Sequence, residues 1–309
     1  MTTTPFSLPP SPVWFITGCS SGIGRSLAHL ISTVHPTHRL VATARNLSSL
    51  SYLPQSENIL PLPLDVSSNI SITAAITTTL SHFGSIDILI NNAGYLLFGD
   101  TESSLTPAGN ALAHEQLETN FWGPASLTLH ALKQMRKNNS NGGVILNVTS
   151  MGGRLTAPGG AYYHASKFAL EGFTDALSKE IRPEWNVKLG IIEPGGVKTA
   201  FVAGVRRLED CEGYESADMP RRVLEGFMED EEKQQLWSQP GKLAEEIVRV
   251  VLEVEEKGLA MRTVLGPDAW GLLRTVLGRQ MEELEQGKER AVRVGKEGQL
   301  EEMVKAGFI

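Results

Sequence analysis

Cysteine is nearly absent from this chain: its 309 residues include two, Cys19 and Cys211. Cys19 falls inside a glycine-rich turn, which disfavours a structural disulfide and points to a reducing, cytoplasmic setting. Basic residues are outnumbered, 28 Lys and Arg against 35 Asp and Glu, giving a net charge of −7. That balance argues against nucleic acid or an anionic membrane surface as the main partner. No stretch approaches the roughly 18 apolar residues of a membrane span. The opening MTTTPFSLPPSPV has neither a basic start nor an apolar run, so it does not read as a signal peptide. The glycosylation signals at Asn138 and Asn147 therefore carry no weight, and Asn147 lies in an apolar run where a glycan could not fit. No internal repeat is visible, and no metal site is expected.

What is present suits a globular α/β protein. Hydrophobic residues make up 41% and charged residues 20%, and the length is enough for one large domain with a well-buried core. Short apolar runs at 13–17, 39–44, 59–64, 86–90, 143–148 and 187–192 read as strands, with 261–266 as a last one. Helical patterns lie near 22–34, 69–83, 111–137, 161–183 and 242–257. This alternation predicts a parallel sheet with helices on both faces. Residues 1–12, rich in proline, read as a flexible lead-in, and 13–284 as one domain. Within it, 202–240 mixes charge with isolated Met, Phe and Trp and shows no strand signal. A long irregular segment after a strand end suggests a substrate lid. The tail, 285–309, reads as frayed helix or disorder.

The chemistry-bearing residues sit at the ends of these strands. Tyr163 and Lys167 are four apart, which on a helix places both side chains on one face, one turn apart. A free phenol titrates near ~10. An ammonium roughly 5 Å away, at an effective dielectric of about 20, supplies on the order of 3 kcal/mol toward ionising it. The pair is therefore expected to bring the phenol within reach of proton transfer near neutral pH. Tyr162 competes for that role but projects about 100° away. His164 reads as incidental. Ser150, thirteen positions upstream of Tyr163, could hold a substrate oxygen beside the phenol; alone it would be a cap or turn residue.

The turn Thr17–Gly24, TGCSSGIG, follows a strand and opens a helix. Gly18, Gly22 and Gly24 let backbone N–H groups of the turn, including those of Ser20, Ser21 and Ile23, approach a pyrophosphate at a helix N-terminus. By itself such a turn could equally be an ordinary strand–helix connection. The second strand ends at Ala44–Arg45, where NAD-preferring sites place a carboxylate for the ribose 2′-hydroxyl. A guanidinium there suits a 2′-phosphate, so NADP(H) is expected over NAD(H). Asp65–Val66 and Asn91–Asn92–Ala93–Gly94 close the next two strands. Either alone is a plain turn; together they could receive adenine and the cofactor backbone.

Taken in order, Thr17–Gly24, Asp65, Asn91–Gly94, Asn120, Ser150, Tyr163, Lys167 and Pro194-Gly195…Thr199 resemble the short-chain dehydrogenase/reductase family over residues 13–200. TGCSSGIG, YYHASKFALEG and VKTAF resemble its 17β-hydroxysteroid and retinol dehydrogenase branch. The resemblance implies a single Rossmann-type, doubly wound parallel sheet with a C-terminal substrate lid. It implies Tyr163 as acid/base, with Lys167 binding the nicotinamide ribose and lowering the tyrosine's pKa. Ser150 would orient the substrate carbonyl and Asn120 would hold a relay water. Pro194, Gly195, Val197 and Thr199 would lie along the nicotinamide amide. The expected reaction interconverts a ketone or aldehyde and an alcohol on a lipophilic small molecule. A non-catalytic NADP(H)-binding scaffold is the alternative, and a homodimer or homotetramer the expected assembly. The chain departs from the family around SSLTPAGNALAH, which runs long, and lacks the N-terminal anchor helix of many retinol dehydrogenases. A helical stripe on 268–284, including Trp270, Leu277 and Met281, is either a packed face or a peripheral membrane contact.

Overall fold

The computed structural model describes residues 6–138, 142–199, 201, 204–296 and 298–307. Nine strands and eleven α-helices are assigned among them. In chain order the strands are β1 (Val13–Ile16), β2 (Arg39–Ala44), β3 (Ile59–Pro63), β4 (Ile88–Asn91), β5 (Leu97–Phe98), β6 (Gly143–Val148), β7 (Val187–Pro194), β8 (Arg206–Arg207) and β9 (Arg262–Leu265). The helices are α1 (Gly22–Val34), α2 (Asn69–Phe83), α3 (Pro107–Leu117), α4 (Gly123–Met135), α5 (Ala161–Glu180), α6 (Pro220–Glu229), α7 (Glu231–Gln234), α8 (Pro240–Leu252), α9 (Val254–Lys257), α10 (Pro267–Val294) and α11 (Gln299–Lys305).

Seven strands form one parallel sheet in the order β3-β2-β1-β4-β6-β7-β9. This is the expected Rossmann-type sheet. Its inner strands β2, β1, β4, β6 and β7 are buried on both faces, which is why their sequences run largely apolar instead of alternating. Successive side chains still point to opposite sides. Trp14, Ile16, Leu40, Ile88 and Val144 pack with Leu27 and Ile31 of α1 and Ile247 and Val251 of α8. Val13, Phe15, Val41, Leu89 and Ile145 pack with α2, α4 and α5 through Ile72, Leu127 and Leu177. Because all strands run the same way, their carboxyl ends share one edge, and the candidate residues gather there.

Two expectations need correction. The helix expected over 111–137 starts earlier, at Pro107, where Thr106 caps it, and its middle turn Glu118–Trp122 is π-helical. Residues 202–240 are not uniformly irregular: β8 pairs in parallel with β5, and α6 and α7 follow. β8 and α7 are too short to show a period, whereas α6 has helical spacing at Val223, Leu224, Phe227 and Met228 that was passed over. Val202 and Asn139–Asn141 lie outside the described residues.

Two compact units are distinguished, Met1–Ala269 and Trp270–Ile309. The second comprises most of α10 and α11, with Trp270, Met281 and Leu284 exposed on α10. Among the described residues, no helix is long and apolar enough to cross a membrane.

Candidate active site

The glycine turn is stitched to the end of β4. Thr17, buried at the end of β1, accepts the backbone N–H groups of Asn92 and Ala93, both at 2.9 Å, on its hydroxyl. The Asn92 amide returns a bond to the Thr17 carbonyl at 2.9 Å. Gly18 has φ +72°, and a Cβ there would stand 2.9 Å from the Ala93 Cα, so glycine is required both by conformation and by space. Cys19 is buried between strands, its thiol pushed up to about 12 by desolvation. It is a packing residue without reactive character. Ser20 and Ser21 are exposed and Ile23 packs on the core beside α1. Ser21 is the N-cap of α1, yet its side chain caps nothing, so the first-turn N–H groups point outward without a side-chain partner.

Arg45 stands exposed at the carboxyl end of β2. Asp65 is exposed after β3, where its Oδ1 accepts the N–H and hydroxyl of Ser67 at 3.0 and 2.7 Å. Val66, next to it, is buried under Gly123. Thr199 comes up against Gly22, since a Cβ on that glycine would lie 3.3 Å from the Thr199 methyl. Pro194 ends β7, and Gly195 N–H continues the ladder to the Leu265 carbonyl at 2.9 Å. Asp268 Oδ2 accepts the Gly196 N–H at 2.6 Å. Val197 then pairs with Ser238. Asp268 is a site-shaping residue that sequence reasoning passed over; no spacing rule ties it to Gly196.

The acid/base residues converge on the same edge. Asn120, 0% exposed, sits in the π-turn. Its Oδ1 accepts the Tyr95 N–H at 3.1 Å, and its amide donates to the Tyr95 carbonyl at 2.9 Å and to Ser166 Oγ at 3.2 Å. π-Turns are rare and concentrate at functional sites, because the extra residue re-aims a side chain. Lys167 is 5% exposed and its ammonium donates to the Val148 carbonyl at 3.0 Å. It lies 5.8 Å from the centroid of the Tyr163 ring. A Cβ on Gly94 would stand 3.1 Å from Asn120 Oδ1 and 3.6 Å from Lys167 Nζ, so only glycine leaves that approach open. Ser150 Oγ accepts the Gly152 N–H at 3.0 Å and lies near enough to the Tyr163 phenol to favour its ionised form.

The electrostatics differ from the sequence expectation. Burial pushes the Tyr163 phenol above its usual value, and the relieving partner is Ser150. Lys167 is itself pulled down to about 8 by desolvation, with Glu171 opposing. A cation that is desolvated and spent on a carbonyl gives its neighbour less than an isolated ammonium would.

His164 is not incidental. Its Nε2 accepts the Ala157 N–H at 3.0 Å, which leaves Nδ1 to carry the proton and donate to the Gly152 carbonyl at 2.9 Å. The ring fills the space that side chains on Gly152 and Gly160 would need. One imidazole thus ties the start and the middle of the segment joining Ser150 to Tyr163. Two glycine pairs upstream of the histidine, at 152–153 and 159–160, were the only signal for it.

Comparison with known proteins agrees with this geometry. The short chain dehydrogenase family matches residues 12–210, more than half of the chain. The oxidoreductase calM of Penicillium decumbens is 39% identical over 92% of this chain and 93% of its own. The 3-ketodihydrosphingosine reductase of Bacteroides thetaiotaomicron is 32% identical over 82% of this chain and 87% of its own. A solved short-chain dehydrogenase from Streptomyces avermitilis aligns with a TM-score of 0.76 at 27% identity, over 92% of this chain and 100% of that one. The chain belongs to the short-chain dehydrogenase/reductase family and is an oxidoreductase of CH–OH and C=O groups that uses a nicotinamide cofactor.

Proposed function

We propose that this protein is an NADP(H)-dependent ketone/aldehyde reductase or alcohol dehydrogenase acting on a lipophilic small molecule, with Asn120, Ser150, Tyr163 and Lys167 as its catalytic residues. The observation that carries the reading is the gathering of all four on one sheet edge, with the phenol of Tyr163 bracketed by Ser150 and Lys167. A pure binding module would have no use for a buried ammonium beside a phenol, with a buried amide on the same sheet edge.

The residues present fit a dinucleotide. Glycine at 18 lets the turn lie tight against Asn92 and Ala93, and the uncapped N-terminus of α1 favours an anion. Arg45 supplies a charged fork suited to a 2′-phosphate, and the segment Pro194–Thr199 would receive the nicotinamide amide. The cofactor supplies a hydride to, or takes one from, the substrate carbon. Tyr163 gives its phenolic proton to the developing alkoxide in reduction and takes it back in oxidation. Ser150 orients the substrate oxygen toward the phenol. Lys167 holds positive charge beside the forming phenolate, where a low-dielectric site strengthens it. Asn120, fixed by Tyr95 and Ser166, holds the Gly94 backbone and the approach to Lys167 open.

The substrate class rests on the wall beside Tyr163. Phe201 stands edge-on to the phenol ring, centroids 6.2 Å apart. The 3-ketodihydrosphingosine reductase relative acts, by its name, on a lipid ketone. A screen of ketones and secondary alcohols, following NADPH absorbance, tests the proposal. Turnover of apolar carbonyl compounds with NADPH is expected, and none with any of them would refute it.

A further inference from the structure

Two acidic side chains meet beneath the candidate site, and the reaction above uses neither. Glu171 lies on α5, one turn beyond Lys167; Glu193 is the residue before Pro194 on β7. They are 4% and 0% exposed. Thr149, which precedes Ser150, joins Glu171 to Ile192, the residue before Glu193. Its N–H donates to the Ile192 carbonyl at 2.8 Å, and its hydroxyl donates to Glu171 Oε1 at 2.8 Å. The other Glu171 oxygen accepts from Arg262 Nε at 2.9 Å, and Arg262 also reaches Asp175 at 3.2 Å. Glu193 is served less well. Arg154, four residues past Ser150, comes no closer than 3.5 Å to Oε2. Oε1 is buried with no hydrogen-bond partner among the described residues.

An ionised carboxylate oxygen buried without a donor is heavily penalised. A proton removes the difficulty, because it turns that acceptor into a donor, and the Glu171 carboxylate beside it can accept. Two close carboxylates in one buried site share a proton for the same reason. We infer that Glu193 carries a proton on the acid side of neutrality, donating it to Glu171, and that this shared proton positions the Ser150 turn and the Pro194–Gly196 turn around Lys167.

The charged groups facing the pair are Arg154 after β6, Arg262 on β9, and Lys167 and Asp175 on α5. Burial, then the Glu171 charge, push Glu193 up to about 7, against the pull of Arg154 and Arg262. The folded value lies above the unfolded one, so the stabilisation is complete at acid pH and is lost as pH rises through about 7. Above that, two unprotonated carboxylates repel across the junction of β6, β7 and α5.

The consequence for turnover rests on the catalytic set proposed above, so the test reads the proton directly. Infrared spectra of wild type and Glu193→Gln are compared at about pH 6 and about pH 9, on either side of the pair's titration. A protonated-carboxyl band is expected in wild type at the lower pH only, and absent from Glu193→Gln at both. Glu171→Gln removes the neighbouring charge and should move the band's loss to lower pH. Glu193→Gln keeps a permanent donor, so its thermal midpoint and kcat should lose the fall through neutral pH that wild type shows. Tyr163→Phe must leave the band in place; an active Tyr163→Phe would overturn the catalytic set without touching the pair. No band in wild type that Glu193→Gln removes, or equal pH dependence of the two midpoints, would overturn the shared proton.

Discussion

Arg221 Nε donates to Asp100 Oδ1 at 2.6 Å, with the two side chains 8% and 1% exposed. The pair ties α6, in the excursion after β7, to the loop after β5. Arg221 also meets Asp210 at 2.8 Å and Glu225 at 3.0 Å, and β5 pairs with β8 alongside. Removing one member of a buried ion pair strands the other charge and costs about 3–5 kcal/mol. Arg221→Met should therefore lower the unfolding midpoint and open 204–240 to protease. The double variant Asp100→Asn, Arg221→Met should lose less than Arg221→Met alone. Equal stability of wild type and Arg221→Met in urea would refute this anchoring.

Proton transfer by the phenol is tested by Tyr163→Phe, which keeps the ring and removes only the acid. Turnover should fall by roughly 10²–10⁴-fold, the usual share of general acid–base catalysis. Cofactor Kd should stay within a factor of about two, since the phenol contributes nothing to the glycine turn. A variant that keeps more than about a tenth of the wild-type rate, with chemistry limiting, would exclude Tyr163 as the acid.

The sheet was legible because a parallel strand buried on both faces writes itself as an apolar run, and six such runs alternate with helical patterns. The glycine turn was legible because Gly18 and Gly24 answer steric demands that no other residue meets. His164 and Asp268 were not, because each acts through backbone N–H or carbonyl groups distant in sequence. The lowered phenol pKa expected from Tyr163 and Lys167 treated the ammonium as a free point charge. Spacing places the two groups but says nothing of the Val148 carbonyl that the ammonium serves or the burial that both suffer.

His164 gives a sharper test of the loop between Ser150 and Tyr163. His164→Phe keeps a ring of similar size but leaves the Ala157 N–H and Gly152 carbonyl unpaired. Each such loss costs about 1–3 kcal/mol when buried. Reduced kcat is expected, with stability lowered by a similar amount. Burial holds the His164 pKa below its ordinary value, and the bonds to Gly152 and Ala157 only partly oppose this. A depressed histidine stabilises the fold above its unfolded pKa and ceases to as pH falls through the folded one. Wild type should therefore lose stability below about pH 6.5 more steeply than His164→Phe. Parallel pH profiles in differential scanning calorimetry would rule the clamp out.

The proposed NADP(H) preference is tested at Arg45, which stands exposed at the end of β2. Losing one charge-assisted contact to the 2′-phosphate should cost about 1.5–3 kcal/mol, roughly 10- to 100-fold in NADPH affinity. Arg45→Ala should leave the NADH Kd nearly unchanged, because the 2′-hydroxyl offers the guanidinium no charge. Titration of both coenzymes by fluorescence measures this, and equal wild-type Kd values would remove the assignment.

The lid should move in part and stay in part. α6 is held by Arg221, and the far end of the excursion is fastened too. Ser238 N–H donates to the Gly196 carbonyl at 2.9 Å, Lys198 N–H donates to the Ser238 carbonyl at 2.9 Å, and the Trp237 ring covers Gly196. Between these anchors lies α7, four residues capped by Asp230, of which Glu231, Glu232 and Lys233 are exposed. Closure over bound cofactor and substrate would exclude water from the hydride path, and a short exposed turn between two fixed points is where it can occur. Hydrogen exchange with and without NADP⁺ and a substrate analogue should show slow exchange in α6 throughout and new protection across 230–238. Because residues 196–198 are joined to that stretch by backbone bonds, cofactor alone should give part of the effect and substrate the rest. Protection confined to the glycine turn, with 204–240 unchanged, would take this segment out of the site and leave Phe201 as its remaining apolar wall.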